Sequence, residues 1–124
     1  MNMALRTKID AAARRHRTNS SPSFAPAMAA EVRWLDQAKD DLREILDYIA
    51  VENPRAAERY IFELQAACER LAPFPLSGRR YNDQFRVLAF RHHLVFHLYD
   101  EAAGIVSVVM VIDGRRDLTK LFEK

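Results

Sequence analysis

The chain is short of several things that would each have narrowed its function. It has one cysteine, three glycines and one tryptophan in 124 residues. A single cysteine, Cys68, excludes an internal disulfide. Its place on an apolar helical stripe makes it a small core hydrophobe rather than a nucleophile. Three glycines are too few for a glycine-rich phosphate loop. No apolar run reaches the roughly 18 residues of a membrane span, and the opening segment lacks the apolar stretch of a secretory leader. The compartment expected is therefore the reducing cytoplasm. Lysine is missing between Lys39 and Lys120, so a cationic site in that interval has to be built from arginine.

What is present is the composition of one small globular domain, 49% hydrophobic and 29% charged. The net charge of +2 conceals an asymmetry. Residues 1–30 carry Arg6, Lys8, Arg14, Arg15 and Arg17 against Asp10 alone. They run through Ser20-Ser21-Pro22-Ser23 and show no strong periodicity, so they read as a basic tail or an upstream-start extension, with Met28 three residues before Glu31. Residues 36–72 hold nine acidic and five basic groups, whereas residues 77–99 hold four arginines against Asp83. The domain is electrically polarised, and its arginine-bearing part can meet an anion or an acidic partner.

The element order expected is β-α-α-β-β-β, an α+β fold. Val32 and Trp34 alternate with Arg33 and Leu35 as a first strand, after which Asp36 is placed to cap a helix and Asp40 and Asp41 sit in its first turns. Ala38, Leu42, Ile45 and Ile49 recur at helical spacing. Asn53-Pro54 ends this helix and starts another, with Asn53 as cap and Pro54 at the first helical position. Ala57, Ile61, Leu64, Cys68 and Leu71 form its stripe until Pro73 and Pro75. The two helices make an antiparallel hairpin over a sheet. Phe85–Phe90, His93–Tyr99 and Ile105–Ile112 then read as a three-stranded antiparallel sheet. In the middle strand Leu94, Phe96 and Leu98 are expected beneath the helices, leaving His93, Val95, His97 and Tyr99 on an accessible face.

The densest set of reactive side chains is His92, His93 and His97. Adjacent His92 and His93 are expected on opposite faces, and His93 and His97 stand about 13 Å apart along a strand, too far for one ion. No metal and no cofactor is expected. A metal-independent ribonuclease would need a proton-transferring group and a phosphate-holding cation. His93 or His97 could serve for the first, and Arg79, Arg86 or Arg115 for the second. Tyr48 and Phe62 fall outside both inward stripes, so either a partner helix covers them or they curl onto a neighbouring helix edge.

Taken in order, Val32-Arg33-Trp34-Leu35, Ala38, Leu42, Asn53-Pro54, Ala57, Gly78-Arg79, Leu94-Val95-Phe96 and Val111-Ile112-Asp113-Gly114-Arg115-Arg116-Asp117-Leu118 resemble the RelE/ParE toxin superfamily, and the ParE branch more than the RelE branch. The resemblance covers residues 31–118 and leaves 119–124 as a C-terminal tail. It implies a toxin of a type II toxin–antitoxin pair, neutralised by a small ParD-like antitoxin and arresting growth by binding DNA gyrase. Under it, Arg79, Arg86, Arg115 and Arg116 contact the target, and Tyr48 and Phe62 receive the antitoxin. The RelE branch implies instead cleavage of ribosome-bound messenger RNA, for which His93, His97 and Arg86 would be the candidates. Two positions depart from the family pattern: Asp113 stands where histidine is common, and His93 where an aromatic residue often occurs. A carboxylate at position 113 disfavours phosphate and leaves open a binding module that has lost its toxicity.

Overall fold

Residue 35 stands between a strand and a helix and bonds to both, and the architecture follows from that hand-over. In the computed structural model, which describes residues 29–115, the elements are β1 (Glu31–Trp34), α1 (Asp36–Ala50), α2 (Pro54–Glu69), β2 (Arg79–Arg80), β3 (Arg86–Phe90), β4 (His93–Asp100) and β5 (Ile105–Asp113). The basic tail, Arg116 and the C-terminal tail lie outside the described residues. Leu35 donates its amide to the Val108 carbonyl at 3.0 Å, closing the strand, and its own carbonyl accepts the Lys39 amide at 3.1 Å, opening the helix. Leu35 is therefore the N-cap of α1; Asp36, expected there, is the first helical residue and makes no side-chain cap. The second helix starts as expected, with the Asn53 Oδ1 accepting the Ala56 amide at 3.1 Å and Pro54 in the first turn.

The sheet has five strands in the order β1-β5-β4-β3-β2. It is mixed: β1 lies parallel to β5, while β2, β3, β4 and β5 pair antiparallel. The helical hairpin carries the chain back across the sheet between β1 and the hairpin strands, which permits the parallel pair. Strand β5 is flanked on both sides and buried from Ile105 to Ile112. That explains its unbroken apolar run.

The two faces are the reverse of the expectation. Val95 and Tyr99 pack with Ala38, Leu42, Leu64 and Cys68 beneath the helices. Phe96, Leu98 and Leu94 turn the other way, into a second cluster with Phe85, Val109, Met110 and Ile112. Both faces are apolar enough to be covered, so the bulkier set of side chains did not mark the helix side. A β-bulge shifts the register on β5: Phe96 pairs with Met110 but His97 with Val108, so the extra residue Val109 joins Met110 in the second cluster.

Beyond Trp34 the outer side of β5 has no strand beside it among the described residues. There the Asp41 carboxylate, buried on α1, takes the place of a strand partner. Its Oδ2 accepts the Val111 amide at 2.9 Å and its Oδ1 the Gln37 side chain at 2.8 Å. On the opposite edge Gly78, at φ 88°, approaches β3 so closely that a Cβ would lie 2.5 Å from the Val87 carbonyl oxygen. Only glycine fits this turn into β2.

Candidate functional site

The richest side-chain chemistry gathers at one corner, where the β3–β4 turn, the end of β5 and the middle of α2 meet. Arg91 and His92 form the turn, and Arg91 adopts a left-handed backbone at φ 54°. Strand register then sets His93 opposite Asp113. The Gly114 amide donates to the His92 carbonyl at 2.6 Å, an approach so close that a Cβ on Gly114 would come within 3.0 Å of that oxygen.

Above this corner α2 presents Tyr60. Its hydroxyl is 2.5 Å from His93 Nδ1, and its ring meets Phe90 and His93 edge-on. Arg91 lies over the Tyr60 and Phe90 rings, 5.3 and 5.1 Å from their centroids, and pairs with Glu63 at 2.6 Å. Burial raises the Tyr60 pKa; the Arg91 charge lowers it, Asp113 raises it and Arg115 lowers it, and the sum is upward. Tyr60 thus stays a neutral phenol around pH 7. Asp113 Oδ1 accepts the Arg115 amide at 2.9 Å, and the Arg115 Nε stands 3.7 Å away. Beside the corner a cavity of about 240 Å³ is lined by Ile49, Ala56, Arg59, Tyr60, Glu63 and Arg91.

The residues singled out from sequence are scattered over the sheet. His93 and His97 are not on an accessible face: they are 5% and 0% exposed beneath the helices. His97 has no hydrogen-bond partner for either ring nitrogen among the described residues. Burial pushes its pKa down to about 4, with the nearby Ser77 backbone opposing and the Arg86 charge reinforcing the shift. Arg86 lies across from His97 on the helix-side face and donates to the Gly78 carbonyl at 3.1 Å. Arg79 pairs across from Val87, so it belongs to the opposite face, and it is exposed. Arg115 is at the far corner, beyond the end of β5. Phe90, at that end of β3, is about 13 Å along the strand from Arg86. The three described arginines, Arg79, Arg86 and Arg115, are therefore not one patch. Tyr48 and Phe62 are 79% and 72% exposed, as expected of surplus aromatics.

Sequence reasoning missed Tyr60, Arg91 and the joining of His92 to His93. Because His92 sits in the turn rather than in a strand, the two imidazoles lie on the same side, with centroids 4.4 Å apart. The signal was the two-residue break at Arg91-His92, which fixes a tight hairpin and with it the cross-strand neighbours.

Comparison with known proteins bears on the chain's family. Residues 32–118 match the family model described as ParE toxin of type II toxin-antitoxin system, parDE. Toxin RelE2 of Caulobacter vibrioides is 35% identical over 87 residues, covering 70% of this chain and 98% of that protein. The chromosomal ParDE toxin–antitoxin system from P. aeruginosa contains a similar fold, with TM-score 0.60 at 16% identity over 68% of this chain and 95% of that one. The RelBE2 toxin–antitoxin complex from Mycobacterium tuberculosis is similar at TM-score 0.51 and 17% identity, over 73% of this chain and 97% of that one.

Proposed function

Because the chain belongs to the ParE toxin family of type II toxin–antitoxin systems, we propose that it arrests growth by binding DNA gyrase and is held inactive by a ParD-like antitoxin. The observation that carries this reading is the burial of His93 and His97 beneath the helices. A group that moves protons on RNA must touch it, and these two are roofed over. Arg86 is engaged with the Gly78 carbonyl, while Arg79 and Arg115 remain exposed for a protein target. The Asp113 carboxylate adds negative charge where a phosphate would have to sit.

The deciding experiment gives purified full-length chain to gyrase and, separately, to ribosomes carrying messenger RNA. Loss of supercoiling with intact message supports the proposal. Cut message with supercoiling untouched at large excess would transfer the assignment to a ribonuclease. The relative named RelE2 is the reason to run both arms. Neither effect, together with no growth arrest on expression, would leave a non-toxic binding module.

The antitoxin would cover Tyr48 and Phe62, aromatics too exposed to serve the domain's own core. Replacing both with serine should weaken antitoxin binding by roughly thirtyfold or more, the range of central aromatic anchors, while leaving the far-UV circular dichroism unchanged. Undiminished affinity would move the antitoxin elsewhere.

A further inference from the structure

We propose that His92, His93 and Asp113 form a binding site for a divalent transition-metal ion of the zinc type. Each offers one donor atom, and the three atoms lie within 4.8 Å of one another. They come from the turn, from the start of β4 and from the end of β5, so the register that pairs His93 with Asp113 assembles the set. Two imidazoles and a carboxylate suit Zn²⁺, Co²⁺ or Ni²⁺ and suit Mg²⁺ or Ca²⁺ poorly.

The geometry needs a modest contraction. Donors sharing a tetrahedral ion at about 2.0–2.1 Å are roughly 3.4 Å apart. The movement falls on His92 and Asp113, both only half-buried, and not on His93, which is fixed in the core. Tyr60 supplies that fixing. With its hydroxyl on His93 Nδ1, the Nε2 nitrogen is the one turned to the ion. An outer hydrogen bond that sets the ring and its tautomer is the usual companion of a metal-bound histidine. Three protein donors leave a fourth position for water.

Charge identifies a competitor within the chain. Arg91 is neutralised by Glu63 at 2.6 Å, but Arg115 stands 3.7 Å from the Asp113 carboxylate that the ion would use. The ion and Arg115 therefore contend for one carboxylate, and loading the site frees a guanidinium at the corner. The site itself does not depend on which target the toxin binds.

The test is a titration of untagged full-length chain with Co²⁺, read by visible absorption, and with Zn²⁺, read by calorimetry, near pH 7.5. One ion per chain is expected. His92→Ala and Asp113→Asn should each weaken binding by more than about tenfold, and Tyr60→Phe by roughly 10–100-fold through the outer hydrogen bond. Arg115→Gln should tighten it, which a merely structural role for the cluster would not produce. Both ligand substitutions fall on partly exposed side chains, and circular dichroism verifies the fold in each. Absence of stoichiometric binding to the wild-type chain, or binding unchanged in both ligand variants, overturns the proposal.

Discussion

His93 and His97 lie four residues apart on one face of one strand, both under the helical hairpin, yet they occupy opposite chemical situations. His93 has Tyr60 at 2.5 Å and faces Asp113 across the sheet. His97 is fully buried, with Arg86 and Val108 beside it in the sheet and no hydrogen bond to either nitrogen among the described residues. One end of β4 is a polar junction and its middle is dry. Strand periodicity can say that two side chains share a face; the residue that the covering helix places above each one decides whether it is partnered.

The largest expected effect comes from the dry histidine. Its pKa is about 6.5 unfolded and is lowered to about 4 in the fold. Between those values the unfolded chain binds more protons than the native one, so stability rises with pH across that window. It is lost as pH falls from 6.5 and the loss is complete below 4. At about 1.4 kcal/mol per pH unit the total is on the order of 3 kcal/mol, a large part of the 5–15 kcal/mol typical of a domain. Urea denaturation from pH 7.5 to 4 measures it. His97→Leu should flatten the slope in that window, because the buried group that resists charging is gone. An unchanged slope in the variant would locate the acid sensitivity in another group.

A smaller effect is expected midway between the two histidines, at Val111, which pairs with Val95. Its amide is satisfied by Asp41 from α1 at 2.9 Å. Asp41→Ala leaves a buried N–H without a partner and should cost about 1–3 kcal/mol. Asp41→Asn keeps an acceptor oxygen and should recover a good part of that. Equal losses in both variants would mean that the charge, and not the hydrogen bond, matters at this position.

Much of this architecture was legible in the sequence, because Ala38 and Leu42 keep helical spacing and Asn53-Pro54 carries its own cap. The continuous apolar run from Ile105 to Ile112 marked a strand; its burial between β1 and β4 is where that run is explained. The parallel pairing of β1 was not legible, since nothing local to Glu31–Trp34 names its partner. Nor was the choice of sheet face: Leu94, Phe96 and Leu98 are as apolar as Val95 and Tyr99, and each set has a core to enter. The site was hidden for a geometric reason. Measured along the strand, His93 and His97 stand about 13 Å apart, whereas a residue directly across a ladder is about 4.5–5.5 Å away. Asp113 is twenty residues from His93 in the chain and is its direct neighbour across the sheet.

The smallest effect isolates the hydrogen bond that separates the two histidines. Tyr60→Phe removes only the hydroxyl. The edge contacts with Phe90 and His93 and the Arg91 stacking all belong to the ring and persist. The loss should be about 1 kcal/mol, the low end of the roughly 1–3 kcal/mol that a buried polar group costs when it loses one partner. Tyr60→Ala would cost several times more by opening a cavity, and so would not measure the bond. Combining Tyr60→Phe with His97→Leu tests whether the end and the middle of β4 act separately. At roughly 13 Å along the strand, the two changes should add within about 0.5 kcal/mol. A larger discrepancy would mean that the helical hairpin settles differently on β4 when either histidine's surroundings change, and that polar junction and dry middle belong to one packing unit.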